Sequence, residues 1–182
     1  MKAKMMTAAL VLLLALFFSG AAMAQETGKI GILDVQRVLN ASAAGKEATA
    51  SLTAKGTAAQ KDLLKRNDEI EELKKTLERK MLVMNPESRD EKQKELRNKI
   101  LDLKDLEKKY QDDLRSMEQD LREGIMNQIM ALVASIGKKE GYVLIIDKNE
   151  GGVVYAPDAI DLTDRVIQEF NADYQKSKGK KN

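Results

Sequence analysis

The feature that most constrains this chain is a long helical pattern with one breaker in it. From Ser42 to about Glu140 the sequence is charged and heptad-like, and Asn85-Pro86 is its clear interruption. Proline lacks an N–H and its ring clashes with the preceding turn, so inside such a pattern it marks a fold-back point. Before it, apolar residues stand at Leu63, Ile70, Leu73, Leu77, Met81 and Met84, in steps of three and four with one of seven. After it, the same steps carry Leu96, Ile100, Leu103, Glu107, Tyr110, Leu114, Met117, Leu121 and Ile125, with Glu107 the polar member. Two facing seams of this period pack as an antiparallel coiled-coil hairpin. The hairpin is predicted over residues 42–124 with its tip near 85–87. If continuous from Ser42 to Met84, its first helix is about 65 Å long.

The other faces of this stretch are charged, with acids and bases nearly balanced. Asp62–Arg66, Glu71–Lys75, Asp90–Lys94, Glu95–Lys99, Asp105–Lys109 and Glu118–Arg122 stand as acid-to-base i,i+4 pairs. Each adds about 0.2–0.5 kcal/mol to a helix. Together they keep an exposed helix formed and soluble.

Short β-like segments flank the helical part. Lys29–Val35 is rich in β-branched residues and reads as a strand, and Asp34 can cap a short helix through Leu39. Ser42 is the expected N-cap of the long helix; Asn40-Ala41-Ser42 also matches a glycosylation sequon, which the capping role explains better. From Ile125 the apolar positions widen to Met126, Ile129, Met130, Leu132, Val133 and Ile136, as in a helix entering a shared core. Gly137 and Gly141 bracket its end. Tyr142–Asp147 reads as a buried strand, Lys148–Gly152 as a turn, and Val153–Ala156 as a strand pairing back in a hairpin. Asp161 then caps a last helix with Leu162, Val166, Ile167 and Phe170 on one face. The tail 176–182, with Lys176, Lys178, Lys180 and Lys181, is expected to be disordered and basic. The fold class is therefore α+β and predominantly α. A small discontinuous β body (25–41 and 125–175) carries the hairpin. A sheet of about three short strands is marginal alone, so subunits are expected to share it through Ile30, Ile32, Val35, Val143, Ile145, Val153 and Val154.

Residues 1–24 read as a cleaved signal peptide. Lys2 and Lys4 form a positive n-region, Met5–Phe18 an apolar h-region, and Ala22-Met23-Ala24 a small-x-small site cleaved after Ala24. The formal charge of the whole chain is +2. The leader carries two lysines and no acid, so its removal leaves zero. A neutral chain is a poor nucleic-acid binder, which needs a basic field. There is no Cys and no His, so no disulfide forms, and the commonest general base and metal ligand are missing. No Walker-type Gly-Lys-Ser/Thr sequence occurs. Neither an enzyme nor a cofactor is expected. Asp147, Asp158, Asp161 and Asp164 fit no EF-hand spacing and are explained by caps and turns, so no metal is expected.

Lys29-Ile-Gly-Ile-Leu-Asp-Val-Gln-Arg-Val-Leu39 followed by Ser42-Ala-Ala-Gly-Lys46 resembles the opening of the Skp/OmpH family of periplasmic chaperones. Tyr142-Val-Leu-Ile-Ile-Asp-Lys-Asn149, Gly152-Val-Val-Tyr-Ala156 and Asp161-Leu-Thr-Asp164 resemble its closing block. The resemblance implies a jellyfish-like homotrimer whose body is built from three chains and whose three tentacles enclose a cavity. It implies an ATP-independent periplasmic holdase whose partners are unfolded outer-membrane β-barrel proteins, kept from aggregating in that cavity. Familiar members are markedly basic. This chain without its leader is neutral, so any membrane or lipopolysaccharide contact is expected to be weak. The alternative reading is a structural coiled-coil envelope adaptor with a fixed protein partner.

Two features stand out as candidate working parts. Met81-Leu82-Val83-Met84, just before the turn, suits a promiscuous client-binding surface; alternatively Met81 and Met84 belong to the seam, leaving Leu82 and Val83 outward. Gly45, Gly56 and Gly124 lie inside helical patterns, where each costs up to about 1 kcal/mol relative to Ala. They are either flexible points or sites of close packing, and Gly124, where hairpin meets body, is the hinge candidate.

Overall fold

The computed structural model describes residues 28–179. The signal-peptide and cleavage readings, and the last three residues of the tail, lie outside them. The chain runs β1 (Lys29–Leu33), α1 (Val35–Ala41), α2 (Ala43–Lys80), α3 (Pro86–Glu140), β2 (Tyr142–Asp147), a short 3-10 turn (Asp158–Ile160) and α4 (Thr163–Gly179). Among the described residues no helix is long and apolar enough to cross a membrane.

Local chemistry accounts for the boundaries. Asp34 ends β1 and caps α1, accepting a hydrogen bond from the Arg37 N–H at 2.8 Å. Ser42 caps α2 by accepting from the Gly45 N–H at 3.2 Å. Asn85 caps α3 by accepting from the Ser88 N–H at 2.8 Å, and Pro86 occupies the first turn, where its missing N–H costs nothing. The proline therefore starts the returning helix, and the turn lies earlier than the predicted 85–87: α2 stops at Lys80 and Met81–Met84 form the bend. Gly141, at φ 74°, ends α3 in the left-handed conformation that glycine adopts without strain.

The two strands are parallel, with Ile30 opposite Leu144 and Ile32 opposite Ile146. The whole hairpin is thus the crossover between neighbouring strands. The Leu162 N–H donates to the Ile32 carbonyl at 2.9 Å, which occupies part of the free side of β1. The predicted third strand is absent: Val153–Ala156 belongs to no strand or helix. Gly151-Gly152 forms the turn after β2, and the segment that follows pairs with neither strand. Val35 also leaves the predicted strand; capped by Asp34, it is the first residue of α1.

The core of the body gathers Leu33, Val38, Leu39, Ala44, Ile125, Ile129, Ile136, Leu162, Val166 and Phe170 from every helix and β1. Ile129 and Val38 are fully buried. The last helix is longer than predicted. Lys176 and Lys178 lie within α4, and Lys178 pairs with Glu47 at the root of α2. Tyr174 packs against the core, and the helix runs on past it to Gly179.

Candidate functional site

Beyond the body, α2 and α3 lie antiparallel as a prong. Their lengths, 38 and 55 residues, correspond to about 57 and 82 Å at the usual helical rise, and the extra length of α3 lies in the body. Few prong residues are buried, and none completely: Ala59, Ile70 and Leu77 on α2. On α3 the seam is Leu96, Lys99, Leu103, Leu106, Tyr110, Leu114, Met117 and Leu121, all half-buried. Leu106 and the stem of Lys99 thus replace the predicted Glu107 and Ile100, both exposed. A helix of 3.6 residues per turn drifts off a strict heptad, so one of two adjacent candidates takes the facing position. Seam polar groups are paired across the helices. The Tyr110 hydroxyl donates to Asp62 at 2.9 Å, and Lys99 lies 3.7 Å from Glu69. Arg66, and then Tyr110, hold the Asp62 carboxyl below its ordinary pKa, and that bond to Asp62 raises the phenol's.

Of the predicted i,i+4 pairs, Asp62–Arg66 forms at 2.9 Å. Lys75 instead pairs with Glu72, and Glu95 with Lys92, both at i,i+3. Exposed pairs are worth so little that alternative partners within reach compete on equal terms.

The tip presents the predicted client-contact residues unequally. Leu82 and Val83 are 94% and 83% exposed, Met81 is 44% exposed, and Met84 is half-buried. None of the four continues the seam as helix. Met84 instead lines an open groove of about 490 Å³ floored by Leu73 and Leu77 and flanked by Lys80 and Lys92.

A second apolar surface lies on the body. Val143 is 70% and Leu144 49% exposed on β2, with Ile30 48% exposed opposite. The strand read as buried is therefore open within the subunit. Val154 and Tyr155 are also fully or largely exposed, while Ile145 and Val153 are half-buried. Ile32 and Val35 are buried in the core of the single chain. Leu144 and Tyr155 were not singled out from sequence. The signal was the length of the apolar run, too long for one small sheet to cover.

The root of the prong is tied to the body by polar contacts. The Asn171 side chain accepts from the Ala43 N–H at 2.7 Å, satisfying a free donor at the start of α2. Glu140 at the end of α3 is bridged by Arg165, which also holds Glu169. The hydrogen bonds from Arg165 keep the Glu140 carboxyl below its ordinary pKa. Gly45 packs too closely against Leu39 to admit a side chain, whereas Gly124 is exposed with open space around its Cα. The four aspartates are dispersed in turn and pairing roles. Asp161 accepts from the Thr163 N–H, Asp147 from the Asn149 N–H, and Asp164 pairs with Arg37, while Asp158 begins the 3-10 turn.

A small α+β body carrying one long antiparallel helical hairpin defines a tentacled class of protein. The sequence matches the family model "Outer membrane protein (OmpH-like)" over residues 29–170, from β1 into α4. The chain belongs to this Skp/OmpH family. Its fold is similar to the crystal structure of a candidate outer membrane chaperone (OmpH-like) from Caulobacter crescentus CB15, with TM-score 0.74 and 17% identity, over 79% of this chain and 83% of that one. No curated protein matches the chain.

Proposed function

We propose that the protein is an ATP-independent holdase of the periplasm, which keeps unfolded outer-membrane β-barrel proteins from aggregating in a cavity between the prongs of a homotrimer. One observation carries the reading. Apolar surface is open at the tip, at Leu82 and Val83, and on the body, at Val143 and Leu144, while the shaft between them is mostly charged. The tip offers weak contacts that can be remade along a client, and several prongs add their contacts by multivalency without a deep pocket. The body surface is what copies of the chain cover when they share the sheet. Family membership, and the chaperone description of the structurally similar Caulobacter protein, support this assignment. The leader supports export to the periplasm. Holding a client unfolded needs no chemistry, in keeping with a chain that lacks His and Cys.

The test is light-scattering mass on the mature protein, alone and after dilution of a urea-unfolded outer-membrane β-barrel protein into it. A trimer that forms a discrete soluble complex and stops aggregation is the expected result. A monomer or dimer that leaves the client to aggregate refutes it and favours an adaptor with one fixed partner.

A further inference from the structure

One charge pattern on α3 is left largely unpaired within the chain. An acid–leucine–base tripeptide occurs four times: Glu95-Leu96-Arg97, Asp102-Leu103-Lys104, Asp113-Leu114-Arg115 and Asp120-Leu121-Arg122. Each leucine is half-buried in the seam, and the charges beside it are exposed, Glu95 partly so. Acid and base are two residues apart, about 200° of helical rotation. The four acids therefore line one broad face of the prong and the four bases the opposite face. Among the described residues only Glu95 of these eight has an ion-pair partner, Lys92, and Arg122 donates to the neutral Gln36. The other six charges are unspent within the subunit.

The two rows share one register. Acids and bases repeat with the same intervals along α3, offset by only about 3 Å of axial rise. Two prongs standing parallel at the same height can thus match acid to base at all four levels. Copies related by a rotation axis along the prongs stand in this way, and a cyclic ring sets one face of each subunit against the opposite face of the next. The intervals of 7, 11 and 7 residues read the same in both directions, so the parallel setting comes from the cyclic assembly and not from the spacing.

We propose that the acidic face of α3 in one copy docks against the basic face of α3 in the next, so that complementary rows hold neighbouring prongs together and close the cage when it is empty. This rests on the cyclic assembly proposed above. Because the charges are exposed, salt weakens the contact: the screening length falls from about 10 Å at 0.1 M to about 3 Å at 1 M.

The test is a pulsed electron-spin distance measurement between tips. The chain has no native Cys, so Leu82→Cys gives one label per copy. Tip-to-tip distances are expected to be short at low salt and to shift outward by about a helix diameter, ~10 Å, in high salt. Reversing the acid row (Asp102→Lys, Asp113→Lys, Asp120→Lys) should give the wide distribution already at low salt. Reversing the base row as well (Lys104→Glu, Arg115→Glu, Arg122→Glu) should restore the short one, which also shows that the variants fold. Oligomers whose tip distances ignore both salt and reversal overturn the prong contact alone. So do unchanged distances with weakened client retention, which would place a client's cations on the acidic face. A monomeric mass by light scattering overturns the assembly and this contact together.

Discussion

Two glycines in helices of this chain should respond to the same substitution with opposite signs. Alanine has the higher helix propensity, so Gly→Ala in an unhindered helix stabilises by about 0.5–1 kcal/mol. At Gly124 an added Cβ meets nothing within 4 Å, and the full gain should appear. At Gly45 the Cβ would lie 1.8 Å from the Leu39 carbonyl oxygen and 2.9 Å from its carbon. Backbone must then move by more than about 1 Å to reach ordinary contact. It has little room, because Leu39 and the intervening Ser42 are buried against the core. Overpacking of this kind costs about 1–3 kcal/mol, and opening the corner also strains the Ser42 cap on the Gly45 N–H, worth about 1 kcal/mol. After subtracting the propensity gain, Gly45→Ala should lose about 1–3 kcal/mol.

For a chain of this size 1 kcal/mol shifts Tm by about 2–4 °C. Thermal unfolding followed by circular dichroism, all variants at one protein concentration because the proposed assembly would couple to stability, should show Gly124→Ala a few degrees above the parent and Gly45→Ala clearly below it. A Gly45→Ala protein as stable as the parent would refute the tight α1–α2 corner. A destabilised Gly124→Ala would refute the open environment of that glycine. The Gly124→Ala protein also tests the hinge proposal: narrower spin-label distance distributions between body and tip are expected, and an unchanged distribution removes the hinge.

Asn171→Ala should leave the Ala43 N–H without its partner and cost about 1–3 kcal/mol, with faster amide exchange at the start of α2 as the local signature. Glu140 titrates lower when folded because Arg165 donates to it. Its stabilisation is therefore complete above the ordinary carboxyl pKa of 4.5 and fades as pH falls through the folded value, so the gap between parent and Glu140→Gln in urea unfolding should close on acidification; a gap constant down to pH ~3 contradicts the bridge. Leu82→Ser with Val83→Ser should leave Tm within about 1 °C, since exposed substitutions cost little, yet reduce protection of an unfolded barrel protein in a light-scattering aggregation assay; undiminished protection sends client contact elsewhere.

What could be read from sequence follows the range of the forces involved. The caps at Asp34, Ser42 and Asn85 act within one helical turn, and their residue types announce them. The hairpin is nearly as local, because its two seams repeat one period and a single turn joins them. The details that slipped depend on contacts between distant residues. Whether Ile100 or Lys99 faces α2 depends on how the two helices wind together, and the last helix reaches beyond Lys176 in a chain whose distant core packs Tyr174. That the strands run parallel is invisible in either strand alone. The missing third strand is the instructive case: Val153–Ala156 has strand composition, yet it pairs with neither strand of the two-stranded sheet, and pairing is a contact that composition does not encode. Of the candidate site, the exposure of Leu82 and Val83 was legible because both lie next to a forced turn. The openness of β2 was foreseen only as a deficit of cover.

The way apolar surface is distributed bears directly on a holding function. Ile129, Val38 and Val166 concentrate full burial in the body, where the cooperative stability of the subunit must reside. The prong has mostly half-buried leucines and paired or solvated charge, so its helices are held by a narrow seam and by their own propensity. A shaft of this kind can bend and separate locally without unfolding the body, since regions with few buried apolar contacts open at low free-energy cost. An unfolded client varies in size and shape, and a rigid cavity would fit few of them. In the proposed cage, a soft shaft whose root is packed on the core and tied by Asn171 and Glu140–Arg165 would let the enclosing surface adapt while its points of attachment stay in place. Val143 and Leu144 remain open because the apolar residues of the chain are gathered in one core and one narrow seam, and in the proposed assembly other copies would cover this part of β2.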